Sequence, residues 1–210
     1  MHCLIEKTST MPSISRGITK DMSSRVEKDF VFDSCIHFDD KFLINSFNVS
    51  MSILIETPEA VEQNIAIERI GHFVYTCINH SVFVNEDDVK AIQLYKNAGI
   101  NVIVTPDDPY DQILAMLLIV KLNAITEGRL TITDLTLCST LSDGIRFCMV
   151  SEIAEDTIDT SNPRLWWNQP NLCIAHNNTI DLQNKNIVKL FGDEGWKESG
   201  LDWSPKKVKK

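Results

Sequence analysis

Residues 86–112 read EDDVKAIQLYKNAGINVIVTPDDPYDQ, and this stretch decides the fold. Val89, Ile92 and Tyr95 recur every third position, which predicts a helix from about Glu86 to Ala98 with those side chains inward. Gly99 then supplies the left-handed residue that closes such a helix. Ile100 to Val104 follows as a buried strand, and Asp108-Pro109-Tyr110-Asp111 opens the next helix, with Asp108 as cap and Asp111 placed as in a capping box. Helix, glycine, apolar strand is the αβ half of a βαβ unit, so the chain belongs to the α/β or α+β class.

Working outward, Leu114, Leu117, Leu118, Leu122 and Ile125 cover most of the circumference of the helix that ends at Gly128. That makes it a central helix packed on more than one side. Its polar interruptions, Lys121 and Asn123, stop the apolar run well short of a membrane span. A buried Asn123 must either tie two elements together or face a pocket. Downstream, Leu130 to Leu137 alternates at period two, and Asp143-Gly144 with Ile145 to Val150 completes a β-hairpin. Upstream, Phe30-Val31-Phe32 and the long run Phe42 to Ile55 flank the turn residues Asp39-Asp40-Lys41, which predicts another hairpin with a bend near Asn48. Thr57-Pro58-Glu59 starts a helix whose apolar stripe is Val61, Ile65, Ile70, Phe73, Val74 and Cys77. Residues 154–170 read as a long loop clamped by Trp166-Trp167, followed by a short strand over 172–175 and a short helix over 187–191. The expected organisation is a flexible arm over 1–27, one mixed-sheet domain over 28–203 with a central buried helix, two β-hairpins and a loop-rich C-terminal section, and a basic disordered tail over 204–210.

The chain has 210 residues and a net charge of −9, which disfavours a broad phosphate-binding face. No charged and apolar leader is present, so an intracellular, cytoplasmic and reducing location is expected, with the six cysteines as thiols. Phosphate loops, dinucleotide fingerprints and nucleophile elbows are missing from the sequence.

Two constellations could carry chemistry. Asp107, Asp108 and Asp111 follow a predicted strand and open a helix, where an open α/β sheet binds ligands. Three carboxylates could hold Mg²⁺ or Mn²⁺, although capping the helix needs only the residues seen and is the favoured reading of Asp108 and Asp111. The segment 98–112 resembles part of the flap-endonuclease and PIN-like nuclease families over about fifteen residues, with Gly99-Ile100, a strand, Pro106 and spaced acids. That resemblance implies metal-dependent phosphodiester chemistry and contact with nucleic acid, but it places Tyr110 where the second acid belongs. The other constellation is the pair Cys77-x-x-His80 and Cys173-x-x-His176, with Cys35-x-His37 close to the pattern; two such pairs could build a tetrahedral zinc site.

Trp166, Trp167, Trp196 and Trp203 lie among Pro and Gly residues, either to meet a partner or to pin irregular chain to the core. The function expected from these readings is a non-enzymatic binding or assembly module for a protein partner or for self-association, with no cofactor and no membrane contact. The alternative is a divalent-metal phosphoesterase or nuclease.

Overall fold

The computed structural model describes residues 24–171, 196–197 and 199–203. Its strands are β1 (Arg25–Phe38), β2 (Lys41–Ile55), β3 (Val82–Asn85), β4 (Val102–Thr105), β5 (Leu130–Ser139) and β6 (Phe147–Val150), and its helices are α1 (Ala60–His72), α2 (Val89–Asn97), α3 (Asp111–Thr126) and α4 (Ser151–Thr157). One mixed sheet runs in the order β4-β3-β1-β2-β5-β6. β1, β3 and β4 are parallel, while β1, β2, β5 and β6 pair antiparallel in sequence. The class is α/β, as the glycine-closed helix and strand predict.

Both hairpins form as read. Asp39 and Asp40 take positive φ at the first turn, which matches the twist of the strands they join. Asp143 and Gly144 do the same at the second. The irregularity in β2 falls between Ser52 and Ile53 and not near Asn48. Phe30, Phe32, Phe47, Val49, Met51, Ile132, Leu135 and Leu137 form one face of the sheet, against which α1 and α3 pack. α2 covers the opposite face at β3 and β4 through Ala91 and Tyr95. Beyond α2, that second face carries Asp29, Val31, Asn48 and Ser50 to solvent.

α3 is the central helix, buried on nearly every side. Asn123 ties it to its neighbours: its carbonyl accepts from Ile132 N at 2.7 Å, and its amide donates to Ile132 O at 3.1 Å and to Ser151 Oγ at 3.0 Å. Lys121 is fully buried, and Nζ donates to the carbonyls of Trp166, Gln169 and Asn171 at 2.7 to 2.9 Å.

Several expectations change. α1 begins at Ala60, with Glu59 and not Thr57 at the cap. Val61 faces solvent, while Glu62 and Arg69 are buried because Arg129 and Glu127 neutralise them. The helix continues as a π-turn over Phe73–Ile78. α3 starts at Asp111 without a side-chain cap, since Asp108 turns its carboxylate to the Asn85 amide at 2.9 Å. β3 was not anticipated: the turn before it places His80 in the left-handed region, a position usually marked by Gly. α4 occupies the start of the predicted loop, and the remainder is clamped as expected by Trp166 and Trp167.

β3 attaches to β1 through only two paired positions, Cys35 with Val82 and Ile36 with Phe83. Ser34 and Ser81 reinforce this seam, with Ser34 Oγ donating to Ser81 O at 2.7 Å. The expected arm over most of 1–27, the tail over 204–210, the strand over 172–175 and the helix over 187–191 lie outside the described residues, although β1 already begins at Arg25.

Candidate functional site

β1, β4 and β5 run in the same direction, so their carboxyl ends share one edge of the sheet, with the first turn of α3 alongside. A cavity of about 220 Å³ opens there, bordered by Ile36, Phe38, Asn45, Tyr110, Asp111 and Ser139 and continued by Leu141, Ile145 and Phe147. Ligands of open α/β sheets bind at this end of the strands.

Asn45 comes from the inward row of β2 and is 1% exposed. Its carbonyl accepts from Thr140 Oγ1 at 2.8 Å and from Leu141 N at 3.3 Å, while Nδ2 has no partner. Asp111 Oδ2 and Ser139 Oγ are buried beside it and face each other, and Ser139 also takes part in the capping box that ends at Ser142. An orphaned buried polar atom costs about 1–3 kcal/mol. One orphaned donor with a buried carboxyl and hydroxyl beside it, on one apolar cavity, is the pattern of a ligand site, with few polar groups set in an apolar wall.

Burial pushes the Asp111 carboxyl above its ordinary pKa, and the facing Ser139 draws it partly back. A raised carboxyl favours the folded state fully below its unfolded pKa of about 3.9, and that contribution is lost as pH rises through the folded value. Asp111→Asn is therefore expected to raise the melting temperature at pH 7, with the gain shrinking as the pH approaches about 4. Melts of both proteins across that range check this, and a lower melting temperature for the variant at pH 7 would contradict it.

Asp107, Asp108 and Asp111 do not converge. Asp107 borders a different cavity with Glu86 and Asp159, Asp108 holds Asn85, and Asp111 faces the cavity above. The metal-dependent hydrolase needs these acids at one point, and the fold separates them. Cys77 lies in the hydrophobic core and His80 is exposed beyond the π-turn; Cys173 and His176 lie outside the described residues.

The tryptophans pin chain to the core. Trp166 Nε1 donates to Val104 O at 2.9 Å, Trp167 Nε1 to Asp159 O at 3.1 Å and Trp196 Nε1 to Pro170 O at 2.8 Å, and all three are buried. Trp203, half-buried, donates to Glu127 and stacks on Arg69 and Arg129. In place of an outward aromatic surface they form inward anchors, because each indole N–H finds a partner among the carbonyls and carboxylates of irregular chain.

Sequence reasoning did not single out Asn45, although a lone amide at an inward position of an apolar strand is a usable signal. It also missed that His37 meets α2. His37 Nδ1 shares a hydrogen bond of 2.8 Å with Tyr95 Oη, and Nε2 lies 3.1 Å from Asp88 Oδ2.

No family model matches this chain, and no curated protein matches it. Among solved structures, it is similar to the crystal structure of the uncharacterized protein WS1659 from Wolinella succinogenes, at 10% identity and a TM-score of 0.44, over 60% of this chain and 97% of that one. Among the described residues, no helix is long and apolar enough to cross a membrane.

Proposed function

We propose that this protein is a non-enzymatic binding module that takes an apolar anchor side chain of a protein partner into the cavity between β1, β2, β5 and α3. The observation that carries this reading is an apolar cavity into which a buried, unpartnered Asn45 amide donor opens and whose rim is itself apolar: Tyr110, Leu141 and Ile145 are 49–59% exposed. At about 220 Å³ the cavity falls below the roughly 300–1,000 Å³ of small-molecule pockets and suits a single side chain. Protein interfaces place such anchors in pockets at their centre, surrounded by contacts that exclude water. Asn45 Nδ2 offers a donor, and Asp111 and Ser139 offer acceptors, so an anchor with a polar tip satisfies more of the site than a plain hydrocarbon.

Selection from a randomised peptide library tests this. Recovered peptides are expected to share one large apolar or aromatic anchor and to lose affinity about tenfold or more against Leu141→Glu, which changes an exposed rim residue and leaves the core intact. Failure to recover binders, or binders indifferent to both Leu141→Glu and Ile145→Glu, would rule the reading out.

A further inference from the structure

We propose that His37, Asp40 and Asp88 form a binding site for a divalent first-row transition ion such as Zn²⁺, Co²⁺ or Mn²⁺. One ligand atom from each lies within 4.8 Å of the others, and they are drawn from the end of β1, the first hairpin turn and the start of α2. This site is separate from the cavity and does not depend on the binding reading.

The division of labour within each residue supports an ion. The hydrogen bond between His37 Nδ1 and buried Tyr95 fixes the ring and leaves Nε2 as the ligating nitrogen, the outer-shell arrangement of metal-bound histidines. Asp88 uses Oδ1 to cap α2 at Ala91 N, 2.9 Å away, and turns Oδ2 toward His37. Bonds of about 2.0–2.2 Å to a shared ion put neighbouring ligand atoms roughly 3.0–3.6 Å apart, and His37 Nε2 and Asp88 Oδ2 already stand at 3.1 Å. Asp40 sits on a turn in the left-handed region, and one of its carboxylate oxygens stands within 4.8 Å of the other two ligand atoms, on the third side. Lys41, next in sequence to Asp40, pairs with Asp39 at 2.7 Å. One imidazole with two carboxylates is a mixed nitrogen and oxygen set, which suits these ions better than Ca²⁺ or Cu⁺ and leaves coordination positions open.

The test is titration of the chelator-treated full chain with Co²⁺, read by visible absorption and calorimetry, with Zn²⁺ as competitor. One ion is expected to bind without thiolate charge-transfer bands and to be displaced by Zn²⁺. Asp40→Asn is expected to weaken binding at least about tenfold, while its metal-free melting curve stays that of the parent because Asn tolerates the left-handed conformation. His37→Gln should weaken it as well. The proposal is overturned by the absence of Co²⁺ uptake at millimolar metal, by thiolate bands, or by uptake equal in the parent and both variants.

Discussion

Lys121→Met is expected to lower the melting temperature by about 6 to 12 °C, which corresponds to a loss of about 3 kcal/mol in a domain of this size. Methionine keeps a buried aliphatic stem of similar length and removes the ammonium alone. The carbonyls of Trp166, Gln169 and Asn171 then lose the donor they share. Each orphaned carbonyl costs about 1–3 kcal/mol, and relief from burying a charge offsets part of the sum. Arginine is not expected to rescue the variant, because a flat guanidinium fork cannot reproduce three donors radiating from one point. Thermal and urea unfolding of the three proteins checks this; a methionine variant within about 1 kcal/mol of the parent would show that the cradle is dispensable.

Arg69→Ala is expected to cost about 3–5 kcal/mol and to shift tryptophan emission to the red. Arg69 is 2% exposed, and its guanidinium lies 4.7 Å from the Trp196 ring centre and 3.7 Å from that of Trp203. It donates to Leu201 O at 2.7 Å, to Ile125 O at 3.3 Å and to Glu127 at 3.0 Å. Burial lowers its pKa while Glu127 raises it again, so the charge is held by that carboxylate and by the two indoles. Truncation removes the plate on which both tryptophans rest, and residues 199–203 lose their main anchor. Lysine is expected to restore little, since a point charge does not stack between rings. An unchanged emission maximum, with a melting temperature within about 2 °C of the parent, would contradict this account.

The parts of the fold legible in the sequence are those governed by short-range rules. Turn residues flank both hairpins, Gly99 stops α2, and the apolar circumference of α3 marks it as central. β3 escaped because its turn uses His80 at positive φ, which no composition rule flags. The outward turn of Val61 and the burial of Glu62 and Arg69 escaped because ion pairs across 58 and 67 positions decide them. The candidate site was half legible. Its place at the strand ends and its residue Asp111 could be read, yet the separation of Asp107, Asp108 and Asp111 depends on which way each side chain leaves one short loop. Asn45, His37 and Asp88 reach their neighbours only once β2 meets the end of β5 and α2 crosses the end of β1.

The seam between β1 and β3 is the shortest join in the sheet, with two paired positions. β2 is zipped to β1 along its whole length, whereas β3 joins β1 at two paired positions with the Ser34 and Ser81 hydroxyls beside them, and β3 and β4 are held otherwise by Phe83 and Ile103 in the main core and by Trp166 Nε1 on Val104 O. Opening of that join breaks few ladder bonds, so its cost lies in the apolar side chains of β3 and β4 that it would expose. His37 on one side of that line and Tyr95 with Asp88 on the other act as its clasp. An ion held there would add a fastening across that join and make its strength answer to metal concentration.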